Sequence, residues 1–309
     1  MNKVAKRKRM PVHGVLLLDK PVGMSSTQAL AKVKWLLNAE KAGHTGTLDP
    51  FATGLLPLCF GEATKFAQDL LDADKTYEAT VHLGVTTATG DTEGEVLDTQ
   101  SVDVTVAQVE AVLEQFRGPI RQVPPMYSAL KRDGKPLYEY AREGVTLERE
   151  ARDVVIHALE LLTFSSPELT IRVRCSKGTY IRVLGEDIGK ALGCGAHLTA
   201  LRRTGLGTID LAQSHTLPSL EDRADVAACL LPLDALLGSL HRIDLSPPLA
   251  ARFLQGQRLS IAKEGIEVPA ACTEARIYHD GQLAGVAAIT PEGLLAPKRL
   301  IKLGAALAS

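Results

Sequence analysis

The stretch Gly43-His44-Thr45-Gly46-Thr47-Leu48-Asp49-Pro50-Phe51-Ala52-Thr53-Gly54-Leu55-Leu56-Pro57-Leu58, closing at Gly61-Glu62-Ala63-Thr64-Lys65, decides how the rest of the chain is read. Between Gly43 and Leu58 it sets three glycines and three threonines around one carboxylate, Asp49. Pro50 biases Asp49 away from the helical region toward an extended backbone, which presents the side chain. Asp-Pro beside glycine is common turn chemistry, and a plain turn is the simplest reading. A short turn, however, needs no long run of small hydroxyl residues followed directly by an apolar segment, Leu55 to Phe60. The pattern therefore predicts a catalytic loop clamped between regular elements.

Upstream, Val15 to Leu18 reads as a short buried strand, closed by Asp19-Lys20-Pro21-Val22-Gly23. Ser25 and Gln28 form a capping box, and Leu30, Val33 and Leu37 recur on one face, giving a helix to about Ala39 that delivers the chain into the Asp49 loop. Downstream, Ala63, Phe66, Ala67, Leu70 and Leu71 follow helical spacing. Tyr77, Ala79, Val81 and Leu83 alternate with polar residues, as in a strand with one buried face.

Thr105 and Gln108 cap a helix bearing Val109, Val112, Leu113 and Phe116. Residues 119–152 are turn-rich and basic, with Tyr127, Tyr138 and Tyr140 interleaved, and read as an excursion from the core. Leu169, Ile171, Val173 and Cys175 alternate with Arg172 and Arg174, a strand with a basic outer face. Tyr180 and Arg182 lead into a helix carrying Leu184, Ile188 and Leu192, which Gly193 stops. Leu201-Arg202-Arg203 follows. Residues 210–244 read as acidic and helical, and Ser246-Pro247-Pro248 marks a domain boundary near 245. Beyond it, Asp280-Gly281 between two alternating runs is a hairpin signal in a small β-domain covering 245–309.

At 309 residues, with 45% apolar and 23% charged residues, the chain has the profile of a globular protein large enough for two domains. Its five cysteines contain no Cys-x-x-Cys, which points to free thiols in a reducing compartment. Cys194-Gly195-Ala196-His197 is the one metal-like spacing, and without a second pair it reads as a tight turn. No apolar run approaches a membrane span, and no signal-length core follows the basic start, so a cytoplasmic protein is expected. Net charge is only -1, yet residues 117–203 carry fifteen Lys or Arg against ten acids, whereas 91–115 carry seven acids and no base. A polyanion feels such a local field more than the mean. Residues 1–11 read as a mobile basic arm, either a solvated tail or an RNA contact.

The run His44-Thr45-Gly46-Thr47-Leu48-Asp49-Pro50 with Ala52-Thr53-Gly54-Leu55 resembles the signature of the TruB family of pseudouridine synthases. Lys20-Pro21-Val22-Gly23-Met24-Ser25-Ser26, Pro124-Pro125-Met126-Tyr127-Ser128-Ala129 and Cys175-Ser176-Lys177-Gly178-Thr179-Tyr180-Ile181-Arg182 resemble that family's other blocks, in its order. The resemblance implies an α+β pseudouridine-synthase fold with a central, largely antiparallel mixed sheet and flanking helices over 12–244, and a PUA-like RNA-binding β-barrel after it. It implies conversion of uridine 55 in the T-arm of tRNA to pseudouridine, without metal or cofactor, by a protein expected to be a monomer. It makes the 119–152 excursion an RNA-gripping insertion.

The same resemblance carries residue roles. Asp49 becomes the nucleophile, Arg182 its partner, and Tyr77 the aromatic that stacks on the target base; pattern alone leaves Tyr77 equally well as core packing. Tyr180 can also stack, Leu201 can wall the pocket, and His44 can hold backbone or fill the space left by a flipped base. Lys20, at the end of the first strand, reads either as a solvated charge or as a support for the loop or a phosphate. The chain departs from the family pattern at Ala88, where an acid is usual. Breaking an N-glycosidic bond and rejoining the base through carbon calls for a carboxylate, as in glycosidases, and for a base taken out of the stack. There is no P-loop, no Gly-x-Gly-x-x-Gly and no His-Glu-x-x-His, and Thr47 replaces the second histidine of a nucleotidyltransferase site. Two rivals stand beside this reading: a non-catalytic RNA-binding or folding protein, and a nucleoside hydrolase releasing uracil.

Overall fold

A computed structural model describes residues 8–302, so most of the expected basic arm lies outside the described residues. The central sheet runs, edge to edge, through strands His215–Thr216, Gly14–Lys20, Thr53–Phe60, Ala196–Leu206, Lys75–Leu83, Glu168–Cys175, Arg152–Ser165 and Gly118–Gln122. Two pairings in this path are parallel: Gly14–Lys20 with His215–Thr216, and Ala196–Leu206 with Thr53–Phe60. The others are antiparallel, which gives the expected mixed, largely antiparallel sheet.

Register places one row of residues across five strands. Lys20 faces Gly54, Gly54 faces Arg203, Arg203 faces Tyr77 and Tyr77 faces Val173. Directly opposed residues share a face, so Lys20, Arg203 and Tyr77 project to the same side. Gly54 permits this row: its φ is 101°, and a Cβ there would stand 2.3 Å from the Arg203 carbonyl oxygen.

Helix Ser26–Leu36 begins at the expected Ser25/Gln28 capping box and buries Ala29 and Val33. Helix Val106–Gln115 has the Thr105/Gln108 box. Helix Ile181–Ala191 lies close against Ala196–Leu206 because Gly189 carries no Cβ, which would otherwise sit 2.4 Å from Ala196. That approach buries Arg182 on the helix's first turn.

The 210–244 stretch departs from expectation. Its helices are only Leu211–Gln213, Leu217–Glu221 and Ala227–Cys229, separated by turns and by strand His215–Thr216. Thr216 caps and Pro218 opens the longest of them, while Leu231 bonds both ways with Val15, so the backbone is used as sheet edge instead of helix. The 119–152 excursion also starts later than read. Gly118–Gln122 is an edge strand paired with Arg152–Ile156, where Pro119 is tolerated. The 61–71 segment is a 3₁₀ turn, Gly61–Phe66, continued by the short helix Ala67–Leu71.

The carboxy-terminal sheet has the order His241–Asp244, Glu274–His279, Gln282–Ile289, Leu294–Leu300, Leu259–Ser260. Its path is open, so the expected barrel takes the form of a curled half-barrel, and its first strand precedes residue 245. Asp280 and Gly281 both have positive φ and close the expected hairpin. Tyr278, Leu283, Val286 and Ile301 pack on Phe66 and Leu237, and Lys65 Nζ donates to the Leu300 carbonyl at 2.7 Å. Among the described residues no helix is long and apolar enough to cross a membrane.

Candidate active site

The Asp49 loop leaves strand Ala42–His44 and enters Thr53–Phe60, and it is tied at several points. Ser26 Oγ accepts from Leu48 N–H (2.8 Å) and donates to the Leu48 carbonyl (3.0 Å). Gly23 N–H donates to the Pro50 carbonyl (2.8 Å), and Ala52 N–H to that of Asp49 (3.1 Å). The tether from Ser26 uses the helix start that the capping box sets, so the sequence's two clearest local signals meet here.

Lys20 is fully buried, and its ammonium donates to the carbonyls of Pro21 (2.9 Å), Met24 (2.6 Å) and Pro50 (3.3 Å). Three loop carbonyls thus take up its three donors. Burial lowers its pKa to about 8, against the opposing pull of Asp49.

Asp49 Oδ2 lies 3.0 Å from Arg182 Nε, with the carboxylate side chain 37% exposed and the guanidinium 5%. Arg182 Nε is also 3.4 Å from Oδ2 of buried Asp91. The terminal nitrogens point elsewhere: Nη1 donates to the Thr89 carbonyl (2.7 Å) and Nη2 to that of Tyr127 (2.6 Å). Desolvation raises the Asp49 pKa, Arg182 opposes that rise, and Asp91 reinforces it. Asp91 is fixed by the Thr89 hydroxyl and the Glu93 N–H.

Behind burial in each case, the charge of Asp49 adds to the raised pKa of Tyr77, Tyr180 and Glu93 and opposes the lowered pKa of Lys20. Tyr77 is nearly buried; burial raises its phenol pKa, and Arg203 opposes that rise by charge and a hydrogen bond. Tyr180 sits at the cap of helix Ile181–Ala191, its backbone bracketed by Gln122: its N–H donates to Oε1 at 3.0 Å and Nε2 donates to its carbonyl at 3.3 Å. Leu201 is buried opposite Ala79, and the Thr53 hydroxyl donates to its carbonyl at 3.5 Å. His44 ends its strand opposite Leu58 with Nδ1 buried and unpaired. Burial and then Arg203 lower its pKa, favouring the neutral ring.

Two contributors escaped the sequence reading. Asp91 carries no sequence signal beyond an acid directly after a glycine, Gly90. Arg203, in sequence one of two adjacent cations, is 1% exposed; its Nε donates to the Leu55 carbonyl (2.7 Å) and Nη2 to that of Gly46 (3.3 Å), spanning both sides of the loop. At Ala88 the loop is held by backbone, its N–H donating to Glu95 O at 2.9 Å. Cys194 and His197 turn to different partners, the Gly189 and Val85 carbonyls. No cluster of three or more metal-type ligands forms among the described residues. The assembly is a part-exposed carboxylate held by a buried guanidinium, which suits covalent or proton-transfer chemistry.

Residues 34–181 match the model for the TruB family pseudouridylate synthase N-terminal domain. Residues 182–238 match a tRNA pseudouridylate synthase B C-terminal domain, and 242–301 a pseudouridine synthase II TruB C-terminal domain. The chain is 58% identical over 314 residues to tRNA pseudouridine synthase B of Burkholderia mallei, covering 99% of this chain and all of that one. Identity to tRNA pseudouridine synthase B of Cupriavidus metallidurans is also 58%, over 96% of each chain. Among solved structures it is similar to a chain of a Cbf5-Nop10-Gar1 complex, with TM-score 0.72, 26% identity and coverage of 94% of this chain and 84% of that one. A chain of an H/ACA RNP bound to a substrate RNA containing 2'-deoxyuridine gives TM-score 0.71 at 25% identity, with the same coverage.

Proposed function

The chain belongs to the TruB family of pseudouridylate synthases and is a tRNA pseudouridine synthase, and from that premise we propose that it isomerises one T-arm uridine with Asp49 as the reacting group. The single observation that carries this is the contact at 3.0 Å between the part-exposed carboxylate of Asp49 and the buried guanidinium of Arg182. The reaction breaks the N1–C1′ bond and forms a C5–C1′ bond; C5 gives up its proton and N1 takes one, so no atom is added and no electron transferred. Addition of Asp49 to C6, attack at C1′, and removal of the C2′ proton all require the unprotonated carboxylate. Arg182 keeps that form available as the entering base displaces water, which strengthens the interaction as it dries the site.

A uridine inside a folded RNA arm reaches Asp49 only when flipped out. In this reading Tyr77 and Tyr180 flank the base, Leu201 closes its edge, and neutral His44 takes the vacated space without pairing to phosphate. Lys20 and Arg203 are positioning residues that hold the loop from below. The carboxy-terminal sheet serves as an accessory RNA module, and the 123–151 segment grips the arm. Incubating the full chain with an unmodified tRNA transcript and mapping pseudouridine chemically tests the reading. Pseudouridine at the T-arm position is expected. Bound but unchanged RNA would favour a folding protein, and free uracil a hydrolase.

A further inference from the structure

Helix Ser26–Leu36 touches the Asp49 loop at its start and the basic amino-terminal segment at its end. Met10 N–H donates to the Asn38 carbonyl (2.8 Å), Glu40 N–H to that of Met10 (3.0 Å), and Asn38 Nδ2 to that of Lys8 (2.7 Å). Arg9 Nη1 reaches the Lys34 carbonyl at 3.3 Å. Residues 8–10 are therefore pinned beside the end of this helix, bringing Lys8 and Arg9 to the segment that carries Lys34 on the last turn and Glu40 and Lys41 just after it. Among the described residues none of these four cations has a carboxylate within ion-pair distance; Lys32 alone does, from Glu221.

On that turn stands Trp35, the single tryptophan of the chain, 61% exposed, with the Lys32 ammonium 6.0 Å from its ring. The helix's core contacts are made by Ala29 and Val33, so the fold does not use this indole. A large flat exposed aromatic on a cation-rich segment, with the Glu221-paired Lys32 over its ring, fits a nucleobase face with phosphates beside it. It does not fit the flipped uridine: Trp35 lies nine residues beyond Ser26, about 14 Å along the axis from the Asp49 loop. A paired base is excluded as well, since its faces are covered in a duplex.

Resting on tRNA as the substrate, we propose that Trp35 is a stacking platform for a second, unpaired nucleobase of that RNA, with Lys8, Arg9, Lys34 and Lys41 holding the adjoining phosphates. As the only tryptophan, Trp35 reports on itself. Titrating the full chain with unmodified tRNA should quench its emission and saturate at stoichiometry, whereas a fully paired RNA duplex should bind without that quench. Trp35→Ala should raise the Kd for tRNA about tenfold or more, and Trp35→Phe should restore most of the loss. Thermal midpoints of both variants should match the parent, given the exposure of the side chain. Unchanged emission at saturation together with an unchanged Kd for Trp35→Ala would overturn the proposal. Emission that shifts with protein concentration alone would do so too, placing a second copy of the chain on this face. Pseudouridine formation by the parent protein is scored in parallel, so failure of the tRNA synthase reading is seen separately.

Discussion

Arg182 meets Asp49 through Nε at 3.0 Å and directs both terminal nitrogens to backbone carbonyls, of Thr89 and Tyr127. It aims the carboxylate from one side, and its own orientation is set by two segments that lie far apart in sequence. Lysine supplies the charge at one point and cannot satisfy the carbonyls as well. Arg182→Lys should therefore lower the single-turnover rate about a hundredfold or more with far less change in RNA affinity. Arg182→Met should lose more, and should also lower the thermal midpoint by leaving Asp91 buried without its cation. A near-normal saturated rate for the lysine variant would eliminate the orienting role.

The second prediction concerns pH. Burial and Asp91 raise the Asp49 pKa, so the active carboxylate is lost as pH falls through that raised value. Asp91→Asn removes one cause of the rise and frees Arg182 Nε for Asp49 alone. The acid limb of the single-turnover pH profile should move to lower pH. A limb that stays put or moves upward would contradict the coupling.

A third prediction follows from Lys20. Its pKa is about 8 in the folded chain against 10.5 as the ordinary value, so between those pH values the unfolded chain binds more protons. Stability should rise as pH climbs through that window, by roughly 3 kcal/mol in total. Urea midpoints of the parent minus those of Lys20→Met isolate this contribution. The variant should also be weaker at every pH, with three loop carbonyls deprived of their donor. A flat difference across the window would show that the lysine stays solvated.

Much of this was legible because it was local. Ser25 and Gln28, Thr105 and Gln108, and Asp280-Gly281 announce caps and a turn within four residues, and the structure has each. Asp49 and Arg182 came from separate matching blocks, and the fold brings them into contact. What stayed hidden depends on register and burial. Arg203 becomes a loop brace only because it faces Gly54 and Tyr77 across two strand pairings. The donors of Lys20 are taken up by carbonyls that only the folded loop brings near. The 210–244 stretch looked helical because composition cannot show that Leu231 pairs with Val15.

The central claim is that Asp49 reacts, and Asp49→Asn tests it most directly. The amide keeps the shape and removes both the reactive carboxylate and a negative charge near phosphate. Because burial raises the Asp49 pKa, the folded site disfavours the charged form, so the variant should be no less stable than the parent at neutral pH. The measurement is single-turnover pseudouridine formation on unmodified tRNA at saturating enzyme. No product is expected from Asp49→Asn, with RNA affinity equal to or above that of the parent. Appreciable turnover by the pure variant would contradict the account.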